Sequence, residues 1–313
     1  MCALFGWLDY HGKISPKVLQ KLTQALANAA EERGTDASGI SYVRDGKITI
    51  YKRPKPAHKM KFRVPAGTVA LMGHTRLTTQ GNQSKNFNNH PFHGFAGQEF
   101  AFAHNGVLYN DRELRRTKKL PATKIETDSY IGVQLIEQNG DLSFESLAQM
   151  AEDVSGNFTF TLLDVENSLY FVKGSSPLYL IHFPLIGLYV YASTQSIMEK
   201  ALKACGLIRF DYEVLDVKNG DILKIDARGN LYGDTFQTMF YDPFFRYCPW
   251  EDESEPDEAL ETLLLMCHCF GVTEDEVLEL VEMGYSYDEI ECVLNENRIM
   301  AIFREKSSVR THI

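Results

Sequence analysis

Short apolar runs separated by turn residues fill residues 2–249, and they constrain this chain more than any other feature. ALFGWL (3–8), GISYV (39–43), KITIYK (47–52), TVALMGH (68–74), EFAFAH (99–104), NFTFTLLD (157–164), SLYFVKG (168–174), LYLIHF (178–183) and GLYVYAS (187–193) have the length and composition of strands. Strands apolar on both faces need cover on both sides, so the pattern predicts sheets sandwiched between helices. The last four runs follow one another at short spacing, which predicts an antiparallel meander. Ser15 and Pro16 read as an N-cap and first helical position, with Val18, Leu19, Leu22, Leu26 and Ala29 at helical spacing in a helix reaching Arg33. Two more helices are expected, from Thr127 to Asn139 with Gly140 as the stop, and from Phe144 to Asp153.

The chain has 313 residues, 44% hydrophobic and 12% aromatic, which is enough for a sizeable core and excludes general disorder. No apolar run is long enough to span a bilayer, and no basic segment followed by an apolar one opens the chain. A cytoplasmic protein is therefore expected, with no membrane partner. Cys2, Cys205, Cys248, Cys267, Cys269 and Cys292 are scattered without a CxxC pair, and read as reduced thiols. Cys267-His268-Cys269 lies in the apolar segment LLLMCHCFG, with no further ligands at zinc spacing, so it reads as a packed helix face. Neither a metal nor a cofactor is called for.

The net charge of -10 is unevenly placed. Residues 250–313 hold 17 acidic and 4 basic side chains; residues 1–249 hold 25 and 28. An acidic tail argues against nucleic acid as its partner and suits a solvated helical appendage or a basic protein surface. The organisation expected is one domain over 1–245, an acidic linker over 246–256 and a three-helix acidic tail over 257–313. Thr273 with Glu276, and Ser286 with Glu289, have the spacing of capping boxes. Leu263, Leu264, Val277, Leu280, Val281, Ile290, Val293 and Leu294 are candidates for one small core.

Chemistry concentrates where polar or glycine residues interrupt strand ends: ERGTDASGI (32–40), GHTRLTTQG (73–81), NNHPF (88–92), AHNGVLYN (103–110) and ETDSY (126–130). Arg76 is either a surface residue of a polar loop or a bidentate grip on a carboxylate. Asn105-Gly106 is either a hairpin turn or a pair of donors, side-chain amide and backbone N–H, aimed at one oxyanion. Asp128 is either an ordinary acid in the first turn of a helix or the acceptor for a substrate ammonium. Cys2, directly behind the initiator Met, is either a buried strand residue or an N-terminal nucleophile. Taken together, a carboxylate clamp, an ammonium acceptor, an oxyanion hole and a thiol match an amino acid with a side-chain carbonyl. A free α-amine on Cys2, titrating near ~8, can serve as the base.

These segments resemble, in order, the motifs of the glutaminase domain of class II glutamine amidotransferases, the N-terminal-nucleophile group found in glucosamine-6-phosphate synthase, asparagine synthase and the purine amidotransferase. MCALFG resembles MCGIFG, ERGTDASGI the RGxDxxG loop, GHTRLTTQG the GHTRxATxG segment, AHNGVLYN the HNGxIxN segment, and ETDSY the ETD motif. The resemblance covers about residues 2–240. It implies an α+β fold, a four-layer αββα sandwich, and hydrolysis of the glutamine side-chain amide. Carried over by position, it implies Cys2 as nucleophile and Asn105 and Gly106 as oxyanion donors. Arg76, Thr79 and Asp128 become the amino-acid pocket, and Arg33 orders the N-terminal loop.

Ala3, Leu77 and Gln80 depart from the family pattern, where Gly, Trp in some members and His in some members stand. The ~60 residues after the glutaminase segment are fewer than an ordinary synthase domain needs, and no GxxxxGK[ST] loop occurs. The expectation is an L-glutamine-hydrolysing subunit that supplies ammonia to a separate synthase or assembles as a homo-oligomer. Two other readings keep the fold. One is an amidase for another γ-glutamyl or linear amide; the other is a non-catalytic glutamine-binding or scaffold protein that retains Met1.

Overall fold

The computed structural model describes residues 2–238, together with 260, 263–264, 267, 272–282 and 290. The chain divides into two compact units, Met1–Tyr241 and Asp242–Ile313.

The first unit holds two antiparallel sheets. One has seven strands in the order β11-β9-β10-β1-β4-β2-β3; its strands are β1 (Ala3–Asp9), β2 (Ala37–Arg44), β3 (Lys47–Arg53), β4 (Ala70–Arg76), β9 (Tyr179–Phe183), β10 (Leu188–Ala192) and β11 (Glu213–Leu215). The other has six in the order β13-β12-β8-β7-β6-β5: β5 (Phe92–Ala96), β6 (Gln98–Leu108), β7 (Gly156–Asp164), β8 (Leu169–Lys173), β12 (Asp221–Ile225) and β13 (Leu231–Thr235).

Strand pleating sorts the side chains into three apolar layers. From β1, Phe5 and Trp7 point outward against Leu19, Leu22 and Leu26 of α1 (Pro16–Ala29) and Ile197, Met198 and Leu202 of α5 (Gln195–Cys205). Leu4 and Leu8 point the other way, into a layer shared with Ala70 and Met72 of β4, Ala101 and Ala103 of β6, and Leu163 and Phe171. The outer face of the second sheet, with Phe100, Phe102, Phe160 and Val172, packs on α3 (Tyr130–Asn139) and α4 (Phe144–Asp153), and on Leu114 of α2 (Asp111–Thr117). The result is the expected αββα sandwich. Each fully buried Leu or Phe adds about 1.5–3 kcal/mol relative to exposure, which makes the three layers the main source of stability.

Several sequence expectations need correction. The meander does not form. β7 pairs with β8 in one sheet and β9 with β10 in the other, so the chain changes sheet after Lys173. The helix expected from Thr127 begins at Tyr130. Asp128 and Ser129 are drawn off by other partners, Leu108 N–H at 2.7 Å and His104 Nδ1 at 2.8 Å. Asn105-Gly106 is not a turn; both residues lie within β6, opposite Thr159 and Phe158. β5, β11, β12, β13, α2 and α5 are not among the elements expected from the sequence. β13 is exposed along its whole length.

In the second unit, Leu263, Cys267, Val272, Val277, Leu280 and Ile290 form one buried cluster, with Leu264 and Val281 packed on it. Glu276 Oε2 accepts from the Thr273 backbone N–H at 2.8 Å ahead of the helix Glu274–Glu282, which is half of the expected capping box. The linker 246–256, Ser286, Glu289, Val293, Leu294, His268, Cys269, Cys248 and Cys292 lie outside the described residues.

Trp7 is fully buried, and its indole N–H donates to Thr23 Oγ1 at 2.8 Å; that hydroxyl donates on to Leu19 O at 2.9 Å. Thr23→Val keeps the shape and strips Trp7 of its acceptor. Urea unfolding of this variant is expected to show a loss of about 1–3 kcal/mol.

Candidate active site

The middle layer changes character at one end. Along β4 the inward-facing positions run Ala70, Met72, His74, Arg76, and along β6 they run Ala101, Ala103, Asn105. β1 runs antiparallel to β4 with Ala3 opposite Thr75, so Cys2 falls beside Arg76. Where the aliphatic side chains stop, a thiol, a guanidinium and a carboxamide continue the same faces. His74 ties the two sheets together there, its Nε2 donating to His104 O at 3.0 Å.

Cys2 is buried, and its Sγ donates to Leu77 O at 3.4 Å. Arg33 Nε donates to Cys2 O at 2.9 Å, which fixes the start of β1. Burial pushes the Cys2 thiol above its usual range, while the Arg76 charge opposes the shift. The turn that carries Arg33 can lie this close only because residue 34 is glycine. A Cβ there would come within 2.4 Å of Arg76 C and 2.5 Å of Leu77 N. Asp36 completes the junction: its N–H donates to Arg76 O at 2.9 Å and its Oδ2 accepts Thr78 N–H at 2.8 Å.

Arg76 is 2% exposed. Its Nη1 donates to Asn89 Oδ1 at 2.7 Å and its Nη2 to Gln80 O at 2.5 Å. Burial lowers the pKa of its guanidinium, against the opposing pull of Cys2, Asp128 and Asp36. Asn105 is fully buried, and among the described residues neither its Nδ2 nor its Oδ1 has a hydrogen-bond partner. Gly106 has φ 138°, and a Cβ on it would stand 1.8 Å from Asn157 O, so no other residue fits that point of β6. Asp128 is 3% exposed and spends Oδ2 on Leu108 N–H. Thus Cys2, Arg33, Arg76, Asn105, Gly106 and Asp128 sit around one strand-end cluster, and Thr79 is exposed on the loop that follows β4.

Sequence reasoning did not assign roles to His74, Asn89, His90, His104 or Ser129. His90 is buried with both ring nitrogens unpartnered, and its ring lies 4.2 Å from that of His74. Burial above all keeps the three imidazoles uncharged. Burial, with Arg76 and Lys52 nearby, lowers His74 to about 3 and pushes His90 well below its usual value; burial also lowers His104. The polar segment NNHPF was the available signal for Asn89 and His90. A cavity of about 310 Å³ lined by Arg33, Gly34, Thr35, Leu77, Glu31 and Glu32 opens beside the two residues that touch Cys2.

Residues 74–200 match the glutamine amidotransferase domain family, and that span contains Arg76, Asn105, Gly106 and Asp128. The chain carries a class II glutamine amidotransferase domain. Over 246 residues it is 32% identical to the isomerizing glutamine–fructose-6-phosphate aminotransferase of Staphylococcus aureus, covering 74% of this chain and 38% of that protein. The corresponding aminotransferase of Aquifex aeolicus is 31% identical over 191 residues, 57% of this chain and 30% of the relative. The matched part of the chain thus spans only 30% to 38% of the length of these relatives. The fold of the amidotransferase domain recurs in the glutamine phosphoribosylpyrophosphate amidotransferase of B. subtilis, solved with ADP and GMP. That match has a TM-score of 0.59 at 20% identity, over 76% of this chain and 50% of that one. It recurs also in the allosteric regulatory enzyme of purine biosynthesis, with a TM-score of 0.58 at 19% identity, over 76% and 49%. Among the described residues of the present chain, no helix is long and apolar enough to cross a membrane.

The buried imidazoles make this domain acid-sensitive. An unfolded imidazole titrates near ~6.5, whereas His74 in the fold titrates near about 3. Between those values the unfolded chain binds more protons than the folded one, so stability falls as pH drops through the window. Each such histidine adds up to about 1.4 kcal/mol per pH unit, and above the window the contribution is complete. Urea unfolding across that range should show this slope, and it should be shallower in His90→Phe.

Proposed function

We propose that the domain hydrolyses the side-chain amide of L-glutamine through a Cys2 thioester. The observation that carries this reading is Asn105. A buried carboxamide without a partner costs roughly 1–3 kcal/mol unless a ligand completes it. Asn105 occupies the inward face of β6 at the end where β1 and β4 bring Cys2 and Arg76.

Arg76 and Asp128 grip the carboxylate and ammonium of the substrate, which leaves the side-chain amide to reach the thiol. Thr79, on the loop after β4, completes the amino-acid pocket in this reading. The Cys2 thiol, pushed up by burial, is protonated at neutral pH and needs a base. Removal of Met1 frees the Cys2 α-amine, which titrates near ~8 and takes the thiol proton. Sulfur attacks the amide carbon, and Asn105 Nδ2 with the Gly106 N–H stabilises the oxyanion. The α-ammonium returns its proton to the leaving nitrogen, and ammonia departs. Water activated by the same amine then attacks the thioester and releases glutamate, regenerating the thiol. The ammonia is taken up by a separate synthase, with a homo-oligomer as the other possible assembly.

The test is glutamate release together with mass mapping after exposure to the γ-diazoketone analogue of glutamine. One adduct on Cys2 in a chain lacking Met1 is expected, and none in Cys2→Ala. Asn105→Ala should lower kcat by ~10²–10³-fold. Glutamate release that survives Cys2→Ala would overturn the reading.

A further inference from the structure

Lys52 is a half-buried cation that the reaction above does not use. It lies on β3, the edge strand of its sheet, and its side chain turns inward. Its Nζ donates to Asn89 O and, at 2.9 Å, to Pro91 O, and it sits 5.0 Å over the Phe92 ring. Asn86 Nδ2 donates to Lys52 O at 3.1 Å, so one residue is stitched twice to the segment 86–91. Burial, reinforced by the nearby charge of Arg76, lowers Lys52 to about 8. A second cation beside a buried Arg opposes stability by like-charge repulsion. Carbonyl stitching of a surface segment does not require a charge there.

What the segment carries explains the placement. Asn89 is fully buried and holds Arg76 Nη1 through Oδ1 at 2.7 Å. Its amide is oriented by Nδ2, which donates to Gln83 O at 2.9 Å. With Gln80 O on Nη2, each terminal nitrogen of Arg76 keeps a second N–H for a carboxylate. Three links therefore run in series: the Lys52 ammonium fixes the Asn89 backbone, the Asn89 side chain fixes the guanidinium, and the guanidinium faces the ligand. We infer that Lys52 is a positioning residue for the substrate carboxylate, acting through Asn89 on Arg76. The inference rests on the assignment of Arg76 as the carboxylate clamp.

The experiment is alkylation of Cys2 by the γ-diazoketone analogue of glutamine, in which thiolate sulfur displaces dinitrogen after the thiol proton passes to the diazo carbon. The concentration giving half-maximal rate reports binding, and the limiting rate reports chemistry. Lys52→Met keeps the aliphatic stem. It is expected to raise the half-maximal concentration by roughly 10-fold and to leave the limiting rate within about twofold. Lys52→Arg should recover most of the loss. In the Asn89→Ala background the effect of Lys52→Met should largely vanish, because the two act on one chain of contacts. An unchanged half-maximal concentration in Lys52→Met, or effects of the two substitutions that simply multiply, would overturn the inference. If Lys52→Met fails to fold, Lys52→Gln, which removes the ammonium but keeps a polar head, is paired with Asn89→Ala in its place. Arg76→Lys separates the two readings: if it leaves binding unchanged, the clamp assignment itself has failed.

Discussion

Everything in this domain depends on two sheets burying small and aliphatic side chains against each other. Ala70, Met72, Ala101 and Ala103 let β4 and β6 approach closely, with Leu4, Leu8, Leu163 and Phe171 filling the same layer. Because side chains alternate strictly along a strand, a face that is apolar at one end continues on the same side at the other. The domain uses that continuation. No separate loop is built to bring Cys2, Arg76 and Asn105 to the same layer; they are the next positions on faces already committed to the core. A one-residue slip of β1 against β4 would turn Cys2 away from Arg76 and drive Leu4 and Leu8 out of the layer together. Site geometry and core stability are therefore the same constraint.

The electrostatics of that end are lopsided, and the imbalance suits an amino-acid ligand. Arg76 and Lys52 are held by carbonyl and amide oxygens rather than by carboxylates. The carboxylates close by spend oxygens on backbone N–H groups, Asp36 on Thr78 and Asp128 on Leu108. The three histidines are neutral because burial disfavours their charge, helped at His74 and His90 by the neighbouring cations. The interior is left with positive charge on the clamp and with one uncommitted carboxamide on Asn105. A ligand carboxylate answers the first and a developing oxyanion the second.

The apolar runs announced nearly all the central strands, since a strand buried on both faces has little freedom to read otherwise. The helix announced by Ser15-Pro16 was legible through its cap, which forms at Val18. Strands such as β13 and β5 were not legible, because an exposed or glycine-interrupted edge strand lacks the pattern that burial imposes. The Asn105-Gly106 pair shows the limit of local signals. As a dipeptide it is a strong turn former, yet pairing along β7 holds it in mid-strand, and only the backbone at Gly106 records the distortion.

The sequence alone determined the chemistry on offer: a thiol behind the initiator Met, an Arg and an Asp at strand and helix boundaries, and an Asn-Gly pair, in an order that marks the family. It determined the layers too, because hydrophobic period dictates which faces must be covered. Tertiary structure decided which of those groups meet. Cys2 and Arg76 are 74 residues apart in the chain and become neighbours through the β1–β4 register. Asn105 faces them from a different sheet. Lys52 and Asn89 enter only through contacts across the fold, since a lysine in a strand and an asparagine in a polar loop carry no local signal of such a role. Proximity across sheets is a property of packing, and no single segment encodes it.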